Sequence, residues 1–152
     1  MNARSWYFRE FWHFDAPSDA DLLSYAKALV CCMNGDGEIA PAERDWLIGF
    51  MTLVGVPGAQ IEEIRSYDGK DDVTRFLSGT QATGRVIVYD AVTACSADGG
   101  APSPGELATI CRMAEHLGIS QVEVGEIIAL YKAEQEMIER RLHLLFPQGK
   151  PT

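Results

Sequence analysis

The chain has 152 residues, of which 22 are acidic and 13 basic, so its formal net charge is −9. This acidic balance argues against nucleic-acid binding, since contacts to phosphates require a basic surface. A hydrophobic content of 47% with 23% charged residues is typical of a folded domain, and the lack of a long apolar run or a signal-peptide pattern predicts a cytoplasmic protein that is not transmembrane.

The first predicted segment is rich in aromatic residues. Residues 6–14 carry six aromatic rings in nine positions, ahead of Pro17, so a helix here would be aromatic on nearly every side. One interpretation is that the segment packs back on the rest of the chain as a hydrophobic strap, because apolar surface is driven to burial. The other is that it docks onto a second copy of the chain, as a homodimer, or onto a membrane-associated partner protein. The contact residues would then be Trp6, Tyr7, Phe8, Phe11 and Trp12.

Apolar spacing predicts three helices in the next part of the chain. Apolar residues recur at three- and four-residue steps over residues 22–33, with Ser18 or Asp19 as the N-cap. Pro41 opens a second helix, because proline is favoured at the first helical position. A short third helix is expected over residues 58–67.

The middle of the chain is harder to assign. A short helix is expected over residues 71–77, and a longer one over residues 81–97. The second segment contains a Val-Ile-Val run that is also typical of a buried strand. Its long helical frame and its equivalence to the 22–33 helix favour a helix.

Two further helices complete an all-α fold. Pro104 opens the first of them, and Ser120 followed by Glu123 is a capping box that opens the second, which extends to Leu142. No β-hairpin turn pattern occurs between alternating strands. We therefore divide the chain into an aromatic segment at 1–17, a helical domain at 18–145 and a flexible tail at 146–152.

One acidic loop occurs twice, each time between two predicted helices. The first copy reads DGEIAPAE over residues 36–43, and the second reads DGGAPSPGE over residues 98–106. The aspartates are 62 positions apart and the glutamates 63, so the second loop has one extra residue, after which the register holds at 63. The sequence therefore predicts a compact bundle built from two pseudo-symmetric helix–loop–helix repeats.

The repeated loop supports two interpretations. An aspartate beside a tight Gly turn can accept hydrogen bonds from backbone N–H groups, and a glutamate in the first helical turn favours the helix dipole, a contribution of about 1 kcal/mol per site. If the two loops converge, four carboxylates would instead form an oxygen-rich cluster that suits calcium, magnesium or zinc. The loop is not an EF-hand, since Glu43 follows Asp36 by only seven residues. The clustered residues would be Asp36, Glu43, Asp98 and Glu106.

The helix–loop–helix pattern with Asp-Gly, Pro and Glu resembles the TerB-like family of bacterial tellurite-resistance proteins. It is also similar to the amino-terminal domain of membrane-anchored DjlA-type J-domain co-chaperones. The resemblance spans about residues 20–140, although Gly100 replaces the acid that the first loop has at Glu38. It implies about seven helices in two related halves, an acidic metal centre, and association with stress-response complexes at the inner membrane. The residues that carry over to such a centre are Asp36, Glu38, Glu43, Asp98 and Glu106.

No catalytic pattern accompanies these loops. The sequence has no nucleophile motif, phosphate-binding loop or thiolate metal signature. We therefore predict a non-enzymatic module that binds a divalent cation and acts with partner proteins in the response to tellurite or other chemical stress. The alternative is a metal-free interaction scaffold whose acidic loops only cap helices. The cysteines lack disulfide-framework spacing and are expected to be reduced core residues, namely Cys31, Cys32, Cys95 and Cys111.

Overall fold

A computed structural model describes residues 2–78 and 83–151. Over these residues the regular structure is seven α-helices and one 3₁₀ turn, with no strand, which confirms the predicted all-α fold. The helices are α1 (Ala3–Trp12), α2 (Asp19–Met33), α3 (Pro41–Leu53), α4 (Gly58–Ser66), α5 (Val86–Ala94), α6 (Pro104–His116) and α7 (Gln121–Leu145), and the 3₁₀ turn is Val73–Phe76.

Helices α2 and α5 form the centre of the bundle. They pack against each other, and both also contact α3 and α6. Each helix is apolar around most of its circumference, as expected for an element enclosed by others. Alanines at Ala26, Ala28, Ala91 and Ala94 are fully buried, and their small side chains allow neighbouring helices to approach closely.

The predicted helix ends are confirmed where a cap was visible in the sequence. The Ser18 hydroxyl accepts the Asp21 N–H at 3.1 Å, and Pro41 and Pro104 are the first residues of α3 and α6. The capping box at the start of α7 is also present, with the Ser120 N–H donating to Glu123 at 2.8 Å. Short polar side chains at these positions satisfy backbone N–H groups that have no partner inside the helix.

Two predicted elements differ in extent from the structure. The segment expected to be helical over residues 81–97 forms a helix rather than a strand, but the helix spans only Val86–Ala94, with turn residues on either side. Residues 81 and 82 lie outside the described residues. The helix expected over residues 71–77 is a 3₁₀ turn of four residues. The Asp72 carboxylate accepts the Thr74 N–H at 3.0 Å, and such local side-chain bonding competes with a continuous helix.

The aromatic segment packs back on the bundle. Phe8 of α1 is buried, and Tyr7 and Trp12 pack against the core. The guanidinium of Arg4 donates to the carbonyls of Val54 and Gly55 at 2.7 and 2.8 Å, the carbonyls that follow the end of α3. The inner side of α1 therefore packs on the bundle as the hydrophobic strap that the first interpretation predicts.

The two repeats meet at an unusually close backbone contact. A Cβ atom placed on Gly35 would lie 2.5 Å from the Gly105 carbonyl oxygen, and one on Gly105 would lie 2.4 Å from the Gly35 carbonyl oxygen. Only glycine fits at either position without displacing backbone atoms. The C-terminal end of α2 is thereby held against the first turn of α6.

We predict that Gly35→Ala destabilises the protein by about 1–3 kcal/mol, because the added methyl group must push apart two backbone segments. Chemical denaturation measures the change. Gly49→Ala is the matched control, since a Cβ there has no neighbour within 4 Å. The control lies in a helix interior and should be neutral or stabilising by up to about 1 kcal/mol. Equal effects of the two substitutions would contradict the close contact.

Candidate metal centre at the junction of the repeats

Glu43 and Glu106 occupy the same position in the two repeats, the third residue of α3 and of α6. Glu43 accepts the Ala40 N–H at 2.8 Å, and Glu106 accepts the Ser103 N–H at 2.8 Å. Each carboxylate therefore caps its own helix through its Oε2 atom. Both side chains are nevertheless buried, at 2% and 5% exposure, which a capping carboxylate on a free helix end does not require.

The fold brings these two glutamates together with a thiol. One carboxylate oxygen of Glu43, one of Glu106 and the Cys95 sulfur all lie within 4.8 Å of one another, and all three residues are buried. Cys95 follows the last residue of α5, and its N–H donates to the Ala91 carbonyl. It precedes the second acidic loop, so the end of α5 delivers the sulfur to the point where α3 and α6 begin.

The aspartates lie at the exposed rim of this cluster. Asp36 accepts the Glu38 N–H at 3.0 Å, and Asp98 accepts the Gly100 N–H at 2.9 Å. Each aspartate therefore stabilises its own turn, in which Gly37 and Gly99 share a φ of +94°. The two loops therefore share the same turn at their Asp-Gly step, and the extra residue of the second loop lies after it.

Of the five metal-site residues predicted from the sequence, the structure places two at the buried centre and three outside it. Glu38 is exposed, and its contact within the loop is made by its backbone N–H. From the sequence, Cys95 is expected only as a core residue. The feature that could have indicated a ligand is its place three residues before Asp98, where the first repeat has Met33.

Burial makes the charged forms of these groups unfavourable. The pKa of Glu43 is raised to about 7, chiefly by burial and further by the charges of Glu106, Asp98 and Asp36. Burial also raises the pKa of Glu106, as do Asp36 and Asp98. The pKa of the Cys95 thiol is raised by burial, with smaller contributions from neighbouring acidic groups. A cation at this point would replace protons, since metal ligands bind in their deprotonated forms.

The donor set fits a small divalent ion with mixed preferences. Zinc takes carboxylate oxygen and thiolate sulfur at about 2.0–2.3 Å, so ligand atoms within 4.8 Å of each other need little movement to reach one ion. Calcium and magnesium bind oxygen alone and would use the two glutamates with further oxygen ligands. The chemistry of Cys95 therefore distinguishes between the candidate ions.

A third buried carboxylate, that of Asp90, belongs to α5. The Tyr25 hydroxyl donates to Asp90 at 2.6 Å, and both side chains are buried. Burial raises the pKa of Asp90 to about 7, although the hydrogen bond from Tyr25 opposes the shift. This pair could not be predicted from the sequence, because the partner of an aspartate inside an apolar helical stretch is not visible there.

The predicted partner-binding residues divide into two groups. Phe8 is buried, and Tyr7 and Trp12 are half-buried against the core, whereas Trp6 and Phe11 are exposed. The exposed rings continue a series of ring contacts across α3 and α1. The centroid distances are 5.5 Å for Trp46–Phe50, 5.5 Å for Tyr7–Phe50, 5.1 Å for Tyr7–Phe11 and 5.8 Å for Trp6–Phe11.

Comparison with known proteins gives one full-length similarity. No protein-family model matches the chain, and no curated protein matches it. The chain is similar to a tellurite resistance protein of Nostoc punctiforme, whose crystal structure has 31% sequence identity and a TM-score of 0.85. The similarity covers 99% of this chain and 96% of the other. Within the described residues, no helix has the length and apolar character needed to cross a membrane.

We predict that, with EDTA present, the free energy of unfolding falls as the pH rises from 5 to 8. A raised pKa means that the stability associated with protonated Glu43 is fully present below about pH 4.5 and is lost as the pH passes about 7. Asp90 contributes in the same direction. Glu43→Gln keeps an oxygen acceptor for the Ala40 N–H, and it should reduce the fall by on the order of 2 kcal/mol.

Glu123→Gln is the control for this measurement. Glu123 has the same capping geometry, but hydrogen bonds from the Ser120 N–H and from Arg85 lower its pKa to about 2. Its ionisation therefore does not change between pH 5 and pH 8, and the substitution should leave the slope unaltered. A wild-type stability that rises over this pH range would contradict the buried position of Glu43.

Proposed function

The chain belongs to the TerB-like family of tellurite-resistance proteins, and from that premise we propose that it is a non-enzymatic cytoplasmic module of the response to tellurite or related chemical stress. In this proposal a divalent cation binds between the two repeats, and the module acts together with partner proteins. The cation has a structural or regulatory role, because it links the loops on which both halves of the bundle are built.

The observation that carries the proposal is the meeting of Glu43, Glu106 and Cys95 at one buried point. Two glutamates that only capped helices would gain nothing from burial beside each other, since each lowers the stability of the other's charged form. A bound cation reverses this effect. The ligands come from α3, α5 and α6, so binding would hold three helices in register.

The cysteine favours zinc over calcium and magnesium. Thiolate sulfur is a good ligand for zinc and a poor one for hard cations. Zinc binding would require loss of the Cys95 proton, which makes the affinity depend on pH. The exposed aspartates, Asp36 and Asp98, would then act through their charge at the rim rather than as direct ligands.

The second candidate function is a metal-free interaction scaffold. The observation in its favour is that every acidic group of the loops already has a local structural task. Glu43 and Glu106 cap α3 and α6, and Asp36 and Asp98 close their turns. In this interpretation burial, which raises the pKa of Glu43 and of Glu106, favours their protonated forms, and the repeats are held together by packing alone.

The cysteines support a non-enzymatic module. Nucleophilic and redox-active thiols depend on a lowered pKa that populates the thiolate. All four cysteines of this chain instead have a pKa raised by burial, namely Cys31, Cys32, Cys95 and Cys111. Direct thiol chemistry on tellurite is therefore disfavoured at every one of them.

We predict that zinc raises the thermal unfolding midpoint in a concentration-dependent way. At a zinc concentration of 100 times its Kd, the stabilisation should be about 2.7 kcal/mol. Calcium and magnesium are tested in parallel, with EDTA as the reference. Glu43→Gln and Glu106→Gln retain an acceptor for helix capping but lose the charged ligand, so each should abolish the shift. Cys95→Ser should weaken the response to zinc and leave any response to calcium or magnesium unchanged.

Glu123→Gln is again the control, because this glutamate caps α7 in the same way but belongs to neither acidic loop. It should keep the full response to metal. If no metal shifts the midpoint of the wild-type protein, the cation site is refuted and the metal-free scaffold stands. A shift that persists in the Glu43→Gln and Glu106→Gln variants would place the cation elsewhere.

For partner binding, we predict that Trp6→Ser combined with Phe11→Ser reduces the capture of membrane-associated proteins from an extract while lowering the free energy of unfolding by no more than about 1.5 kcal/mol. The two rings are exposed, and their folding contribution comes from their contacts with each other and with Tyr7. Phe8→Ala should instead cost about 3–5 kcal/mol, since that ring is buried. Unchanged capture by the double variant would remove α1 as the docking element.

A further inference from the structure

Helix α7 is longer than the repeat requires. It begins at Gln121, 63 positions after the first residue of α4, Gly58. Its counterpart α4 has 9 residues, whereas α7 has 25. The repeat therefore accounts for residues 121–129, and the remaining residues, 130–145, are an extension without an equivalent in the first half.

This extension exposes an apolar stripe. Leu130, Met137 and Leu144 are 52%, 61% and 69% exposed. A spacing of seven residues is nearly two full helical turns, so the three side chains share one face and span about 21 Å along the axis. The only fully buried residue of α7, Val124, lies in the part that the repeat accounts for. The bundle thus leaves this face of the extension uncovered.

One pair of opposite charges lies beside the stripe. Charged residues of both signs occur on each side of Met137, with Lys132, Glu134 and Glu136 before it and Glu139, Arg140 and Arg141 after it. The Glu134 carboxylate also accepts a hydrogen bond from the Tyr89 hydroxyl of its own chain. Glu134 and Arg141 each follow an apolar stripe residue by four positions, so both lie on the same flank of the stripe. The stripe is also symmetric about Met137, with one leucine seven residues before it and one seven residues after it.

We propose that this extension is a self-docking surface, on which α7 of a second copy packs antiparallel across a two-fold axis at Met137. That arrangement places Leu130 of each copy against Leu144 of the other. It also places Glu134 of each copy beside Arg141 of the other, as a self-complementary two-fold interface requires. A parallel arrangement instead places Glu134 of both copies at one position along the axis and Arg141 of both copies at another, so the opposite charges do not pair.

The size of the surface sets the expected strength of the dimer. One face of about four helical turns buries less than the ~800 Å² per partner of a standard interface. The dimer is therefore reversible and dissociates on dilution, with complementary charges fixing its register more than its affinity. This proposal is independent of the cation site, because the extension lies outside both acidic loops.

Sedimentation velocity of the full chain, from about 1 µM to about 500 µM, tests the proposal. The wild-type protein is expected to shift from monomer to dimer, and Met137→Glu to remain monomeric with an unchanged thermal midpoint. Val122→Glu is the control, because Val122 is an exposed apolar residue of the same helix outside the stripe. A wild-type protein that is monomeric at every concentration overturns the proposal, as does a dimer that Met137→Glu leaves intact.

Charge reversal tests the register. Glu134→Arg sets two arginines side by side and should weaken the dimer by about tenfold or more. Adding Arg141→Glu in the same chain restores opposite charges and should recover dimerisation. A double variant as weak as the single one would contradict the antiparallel pairing.

Disulfide trapping tests the orientation. The experiment uses a Cys111→Ser background, since Cys111 is the one native cysteine that is not buried. A mixture of Leu130→Cys and Leu144→Cys chains is expected to cross-link, because only an antiparallel pair brings those positions together. Efficient self-cross-linking of Leu130→Cys chains alone would show a parallel pair and overturn the proposal.

Discussion

The structure depends on the contact in which the backbone at Gly35 lies against the backbone at Gly105. Side chains normally keep helix ends several ångströms apart, but here a Cβ on either residue would lie within about 2.5 Å of the opposite carbonyl oxygen. The contact holds the end of α2 at the start of α6. Since Glu43 and Glu106 are first-turn residues of α3 and α6, the close approach also determines how near their carboxylates can come.

Burial at this junction gives the acidic loops a property that neither loop has alone. A first-turn glutamate on an exposed helix end is stabilised by the free N–H groups and the dipole, and its pKa falls, as it does at Glu123. The same capping bond is present at Glu43, yet its pKa rises to about 7. Desolvation and the charges of the other repeat outweigh the cap. The charged forms of the two glutamates at the junction are therefore unfavourable unless a proton or a cation neutralises them.

The sequence allowed the fold to be predicted further than the site. Caps and prolines such as Ser18, Pro41 and Ser120 are local signals, and the helices begin where those signals predict. The convergence of Cys95 with the glutamates is a tertiary property, because it depends on how α5 ends relative to α3 and α6. The same holds for Asp90, whose partner Tyr25 lies 65 positions away. Repetition pointed to the junction, but it could not rank the five acidic residues by burial.

The differences between the two repeats are as informative as their similarity. Duplicated units that had only to pack against each other would keep equal lengths, since each would bury the same face. The first repeat instead ends in the nine residues of α4, and the second continues for sixteen residues beyond the equivalent point. Burial in the bundle explains only one side of that extension, because Tyr131 packs against the core whereas Leu130, Met137 and Leu144 are exposed. The exposed apolar stripe is instead explained by a surface that is covered only on association. Comparison of the two repeats therefore distinguishes the part of α7 that belongs to the repeated fold from the part that is available for contact with a second copy.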